Sequence, residues 1–269
     1  MNNILENIVN KKKERIKEIK KNNSINKLLE DIKNINNFYD FKKEIRKRNE
    51  EKKISIIAEI KQASPSAGII VKDFNYLNIA KLYIENGASF LSVLTEENFF
   101  LGKLEYIKKI KNKHNIPILC KDFFIDTYQI PLAKSYGADC ILIILSAIDK
   151  KLATDLYQAS KELNVSSIVE VHTPDEAEFA LSFKDSIIGI NNRNLSTLRV
   201  SLGTSVDLAK ILSSHANPLI CESGINSSKD IKFIIEKTNI KNFLIGESLL
   251  KSDNIEAKLK EFTQINLKN

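Results

Sequence analysis

The run Ile57-Ala58-Glu59-Ile60-Lys61-Gln62 sets a carboxylate and an ammonium two residues apart at the end of a β-branched apolar stretch, just before the loop Ala63-Ser64-Pro65-Ser66-Ala67-Gly68. Residues i and i+2 of a strand share a face, so Glu59 and Lys61 point the same way. On periodicity alone, polar residues meeting solvent would explain such an end equally well. The arrangement recurs, however: other apolar runs end in Lys121-Asp122, Glu170 with His172, Asn191-Asn192-Arg193, Glu222-Ser223-Gly224 and Gly246-Glu247-Ser248. If these ends converge, Lys61, Lys121, Glu59, Glu170 and Glu222 cannot all keep ordinary pKa values, because burial disfavours charge while opposite neighbours favour it. Such a cluster suits general acid–base catalysis. The alternative is an ion network that merely closes the top of the fold. No metal site is expected, since His114, His172 and His215 fall in unrelated segments without HxH or HExxH spacing, and His172 reads as a rim residue.

What must position these groups is a repeating scaffold. Strand-length apolar runs occur at Ile54-Ile60, Phe90-Leu94, Ile116-Cys120, Cys140-Leu145, Ser167-Val171, Ile187-Ile190, Pro218-Cys221 and Phe243-Ile245. Amphipathic segments of helical length separate them, such as Leu77-Asn86, Leu104-Lys113, Leu152-Leu163 and Val206-Ser213. Strict β/α alternation implies a parallel sheet, and about eight repeats match a single α/β domain of the (β/α)8 TIM barrel type, whose active site lies at the C-terminal strand ends. An open doubly wound sheet is the alternative, but neither a GxGxxG nor a GxxxxGK turn is found. Alternation puts Leu119 with Lys121, Ile168 with Glu170 and Ile220 with Glu222 on the inner face. Cys120 and Cys221 then face the helices as small hydrophobes.

Residues 1–50 read instead as an N-terminal helical extension packed on a barrel of residues 51–269, with Ile4 and Ile8, Ile16 and Ile19, and Leu28, Leu29 and Ile32 at helical spacing. The formal net charge of +7 concentrates there. Clustered lysines and arginines read as a solvated helix face, while Phe38, Tyr39 and Phe41 read as packing anchors rather than bases' stacking partners, so no nucleic-acid partner is expected. Three scattered cysteines give no disulfide framework. Without a membrane-length apolar stretch or an apolar signal segment, the expected address is cytoplasmic.

Barrels often bind phosphate with the loops after strands 7 and 8, here Glu222-Ser223-Gly224-Ile225 and Gly246-Glu247-Ser248, where glycines let backbone N–H groups approach an anion; Ser64 can add a hydroxyl. With that, the run IIAEIKQASPSAG resembles the signature of the indole-3-glycerol phosphate synthase family. Further segments agree in order: LSVLTEENFFLG at 91–102, PILCKDFFIDTYQI at 117–130, IVEVHTPDEA at 168–177, IIGINNRNL at 187–195, CESGI at 221–225 and LIGESLL at 244–250. The resemblance implies a cofactor-free lyase of tryptophan biosynthesis that closes 1-(2-carboxyphenylamino)-1-deoxyribulose 5-phosphate to indole-3-glycerol phosphate with loss of CO2 and water. It implies Lys121 as general acid, Lys61 on the substrate carboxylate, and Glu59 and Glu170 as basic partners. Asn191 and Glu222 would orient the sugar hydroxyls and the lysines, and Arg193 would organise the surrounding groups. Ser64, the backbone at Ser223-Gly224 and that at Gly246-Glu247 would hold the phosphate. Asn194 and Cys221 depart from the usual pattern at positions without a chemical role. A monomer that can contact other enzymes of the pathway is expected. A different phosphate-binding barrel enzyme of the same pathway, phosphoribosylanthranilate isomerase, or a basic binding protein are the alternatives; that isomerase relies on a cysteine and an aspartate, and no inward cysteine stands at a strand end here.

Overall fold

The computed structural model describes residues 4–195 and 197–265, so residues 1–3, 196 and 266–269 of the two expected ranges lie outside it. The helical N-terminal segment resolves into α1 (Ile4–Asn22), α2 (Ile25–Lys33) and α3 (Phe41–Glu50). The breaks have local causes: the Ser24 side chain accepts from Lys27 N–H and that of Asp40 from Lys43 N–H, each satisfying a first-turn donor. Eight strands follow, β1 (Ser55–Ile60), β2 (Phe90–Leu94), β3 (Ile118–Lys121), β4 (Cys140–Ile144), β5 (Ser166–Val171), β6 (Ile187–Asn191), β7 (Leu219–Glu222) and β8 (Asn242–Ile245). All pair in parallel and close into a barrel in the order β1-β8-β7-β6-β5-β4-β3-β2. Around it run α4 (Tyr76–Glu85), α5 (Leu104–Lys111), α6 (Gln129–Ser135), α7 (Lys150–Glu162), α8 (Pro174–Ala180), α9 (Gly203–Ile211), α10 (Ser228–Thr238), α11 (Glu247–Leu250) and α12 (Ile255–Thr263). A short hairpin, Ala63–Ser64 with Gly68–Ile69, forms in the loop after β1.

The period-2 rule holds through the barrel wall. Ile56, Ala58, Ile60, Ile118, Cys120 and Cys221 join the layer between strands and helices, while Ile57, Leu119, Ile168, Ile220 and Leu244 fill the interior. Burial drives the Cys120 thiol up to about 12 and Cys221 to about 11, so neither is a nucleophile at neutral pH. Cys140 does face inward, but from the N-terminal start of β4, far from the strand ends that matter. Two strand boundaries differ from the sequence expectation in a telling way: Lys121 and Glu222 are the last paired residues of β3 and β7 rather than residues beyond them. Pairing fixes their backbones, which a loop would not.

The basic N-terminal segment is more than a solvated face. Lys12 is 4% exposed and its ammonium lies 2.7 Å from Asp122, immediately after Lys121. Burial would lower its pKa, but Asp122 overcomes this and holds it above the ordinary value. At the opposite end α3 plugs the barrel floor. Phe41 and Ile45 are fully buried among interior residues, and the Phe41 and Phe90 rings lie 4.6 Å apart between centroids. Burying a side chain such as Phe41 contributes about 1.5–3 kcal/mol. Tyr39 and Phe38 lie under the ammonium groups of Lys111 and Lys134. Leu29, in contrast, remains exposed on α2, so the apolar stripe there is narrower than its spacing implied. Among the described residues no helix is long and apolar enough to cross a membrane.

Candidate active site

A cavity of about 420 Å3 opens at the C-terminal mouth of the barrel, within the size range of small-molecule sites. Lys121 sends its ammonium across the barrel to Glu170 Oε2 on β5 at 2.9 Å and Glu222 Oε2 on β7 at 2.6 Å. Lys61 pairs with Glu59 Oε1 at 2.6 Å, as their shared face requires. Asn191, closing β6, donates its Nδ2–H to Glu170 Oε1 at 3.2 Å and sits in register with Glu222. All six groups line the one cavity.

Three carboxylates thus meet two ammonium groups in near-complete burial, and the proton affinities of Lys121, Glu170 and Glu222 separate. Burial alone would strip the proton from Lys121, but Glu170, Glu222 and Glu59 outweigh it and hold the ammonium far above the usual lysine range. Burial would raise Glu170 too, yet Lys121 and His172 keep it ionised, well below the usual carboxylate range. Glu222 goes the other way: burial pushes it up, Lys121 offsets this only in part, Glu170 adds repulsion, and the carboxyl settles at about 7. Its second oxygen, Oε1, is buried without a hydrogen-bond partner, pressed against the backbone of Gly189 where any Cβ would collide with it. Gly246 makes the same kind of room, since a Cβ there would stand 2.5 Å from Glu59 Oε1. We expect Gly189→Ala to displace the Glu222 carboxylate from Lys121 and to lower stability by about 1–3 kcal/mol, the usual cost of overpacking. Chemical denaturation measures it; an unchanged midpoint would mean the barrel wall absorbs the methyl.

The loops after β7 and β8 form the polar end of the cavity. Ser223 and Gly224 take successive positive φ values of 66° and 85°. A serine in the left-handed region is strained; Asn192 holds it there, donating from Nδ2 to the carbonyls of Glu222 and Ser223, both at 3.0 Å. Arg193 bridges this end, donating from Nη2 to Glu247 Oε2 at 3.1 Å and from Nη1 to the Leu198 carbonyl at 3.2 Å. Glu247 also pairs with Lys251 at 2.7 Å. Ser64 Oγ accepts from Ala67 N–H at 3.2 Å and completes the lining with Gly246.

Sequence reasoning did not find the apolar wall. Ile4, Leu5 and Ile8 of α1 face the cavity together with Phe100, Phe123 and Leu195. The Ile4/Ile8 spacing announces an apolar stripe, but a stripe does not say what it covers. His172 stands elsewhere than its place after the strand implies: its side chain is 7% exposed and lies behind Glu170 rather than on the rim, with Nε2 3.3 Å from Glu170 Oε1 and Nδ1 3.4 Å from Glu176 Oε2. The cause is the tight turn into α8, where Glu176 folds back to accept the His172 N–H at 2.7 Å.

Comparison with known proteins adds independent findings. The family model described as indole-3-glycerol phosphate synthase matches residues 5–262. A protein of that name from Legionella pneumophila (strain Lens) is 42% identical over 261 residues, covering 97% of this chain and 98% of its own. Its namesake from Desulforamulus reducens is 36% identical over 258 residues, covering 96% of each. A solved chain from Aquifex aeolicus superposes with a TM-score of 0.62 at 13% identity, over 83% of this chain and 97% of its own, which bears on the fold alone.

Proposed function

Because this chain belongs to the indole-3-glycerol phosphate synthase family, we propose that its two lysines and two of its glutamates divide the acid and base work of that reaction, with the remaining polar groups as positioners. The protein is a carboxy-lyase of tryptophan biosynthesis acting on a phosphorylated small molecule. In ring closure the aryl carbon bearing the carboxylate attacks the substrate ketone. A proton must reach the ketone oxygen as that bond forms. Loss of CO2 then restores the aromatic ring, and loss of water completes the indole.

Lys121 is the group to supply the first proton. Its ammonium, set between Glu170 and Glu222 in the floor of the cavity, is the observation that carries this reading. Glu170, held ionised, serves as base, and Glu59 stands as the corresponding partner of Lys61. Lys61 binds the substrate carboxylate until CO2 departs and assists the dehydration. Asn191 and Glu222 orient the sugar hydroxyls and Lys121, and Arg193 organises the polar end. There Ser64, Ser223-Gly224 and Gly246-Glu247 hold the phosphate, which leaves the apolar wall of Ile8, Phe100 and Phe123 for the aryl ring.

Incubation of the protein with 1-(2-carboxyphenylamino)-1-deoxyribulose 5-phosphate is expected to give rising indole fluorescence, and no product above background would overturn the assignment. The role of Lys61 has its own signature. Lys61→Ala should raise KM by about tenfold or more, the loss of one charge-assisted contact, with a smaller fall in kcat. A fall confined to kcat would move Lys61 from binding to chemistry.

A further inference from the structure

From its placement behind the base, we propose that His172 is a positioning residue for catalysis: an imidazolium wedged between Glu170 and Glu176 that keeps Glu170 ionised and aimed at the substrate without touching the substrate itself. The inference rests on Glu170 acting as base in the reading above.

The geometry is specific. Glu170 has two oxygens facing different partners: Oε2 meets Lys121 at 2.9 Å, and Oε1 receives Asn191 at 3.2 Å and faces His172 Nε2 at 3.3 Å. The last contact is poorly aligned, since Nε2 is buried without a well-directed partner. At 3.3 Å the ring still favours the ionised carboxylate, through its N–H as well as its charge. On the other side of the ring, Nδ1 faces Glu176 Oε2 at 3.4 Å and Ser146 Oγ at 3.4 Å. The groups facing the imidazole are thus Glu170 from β5, Glu176 from α8 and the neutral Ser146 hydroxyl from the turn Leu145–Ala147.

Two carboxylates beside a buried imidazole favour its charged form, with the Lys121 ammonium on the far oxygen of Glu170. Burial disfavours it, but Glu170 and Glu176 prevail and raise the ring to about 9. Without that charge, the one cation left on Glu170, beside the neutral Asn191 amide, would be Lys121, the same ammonium that must give up its proton during turnover. A second, non-reacting cation keeps the base ionised while the acid works. Lys121 can then cycle without Glu170 capturing its proton.

The test follows the ring and the rate together. The His172 imidazole signal, assigned by its loss in His172→Gln, should titrate near pH 9 in the wild type and at lower pH in both Glu170→Gln and Glu176→Gln. His172→Ala should lower kcat by roughly 10- to 100-fold, the range for a lost charge-assisted interaction, with KM little changed. In His172→Gln, which retains a donor amide, the rate at neutral pH should recover in part, and the fall in kcat expected of the wild type as pH rises through about 9 should be absent. An imidazole titrating near 6.5, or a His172→Gln enzyme with the wild-type alkaline limb, overturns the proposal; the second measurement stands even if His172→Ala does not fold. Unchanged turnover in Glu170→Gln would instead remove the base assignment, while the imidazole titration would be read independently of it.

Discussion

Replacement of Lys121 by alanine is expected to lower kcat by roughly 10²–10⁴-fold, the usual contribution of a positioned proton donor, while KM should change little because the residues proposed to hold the phosphate and the carboxylate are other members of the cavity lining. The same substitution has a second consequence. Glu170 and Glu222 lie 2.9 and 2.6 Å from the ammonium and are 2% and 1% exposed, so its removal leaves two buried carboxylates side by side. Two like charges in that position cannot both stay ionised. The variant should therefore lose stability relative to the wild type more at pH 8, where both would need to be charged, than at pH 5, where a proton can be taken up from solvent. Kinetics and denaturation at two pH values measure both effects. Near wild-type turnover would transfer the acid role to Lys61, and a pH-independent stability difference would mean that solvent replaces the lost cation.

How much of this was legible beforehand depends on whether a property is local. Alternation along a strand is local, so Phe90–Leu94 matches the observed β2 residue for residue and the split between Leu119 with Lys121 inside and Cys120 outside holds. Parallel closure follows from connectivity, and it brings Glu59, Lys121, Glu170 and Glu222 from four strands into one cavity. What depends on a second segment was hidden. Lys12 looks like its neighbours in a lysine-rich helix, and only docking of α1 reveals Asp122 as its partner. Nothing in the strand Ile187-Ile188-Gly189-Ile190-Asn191 announces that its glycine clears space for a carboxylate on the adjacent strand. For His172 the misleading signal was its place just past an apolar run. Glu176, four residues on, was the available hint that the turn folds inward.

The contrast between the two carboxylates that share Lys121 gives the second large prediction. Glu170→Gln should cost kcat roughly 10²–10⁴-fold, as expected for loss of a positioned base, whereas Glu222→Gln should cost less, since it removes an orienting contact. Their effects on stability should run in opposite directions. Glu170 is held ionised below the usual carboxylate range, so its folded form gains from the charge at every pH above that range. An amide there forfeits this gain. Glu222, raised to about 7, binds a proton in the folded protein that the unfolded chain releases near the ordinary glutamate value of 4.5. Folding stability supplied by that proton is present below pH 4.5 and is lost as pH rises through 7. Glutamine is blind to this titration, and it also avoids leaving Glu222 Oε1 buried as an unpartnered charged oxygen against Gly189. The thermal midpoint of Glu222→Gln relative to the wild type should therefore be higher at pH 8 than at pH 5, at about 2–4 °C for each kcal/mol involved. A difference that stays flat across that interval would place the Glu222 titration outside it and return the neutral-range proton to another member of the cluster. If the difference widens as expected, Glu222 is a carboxylate that the active site retains at the expense of stability.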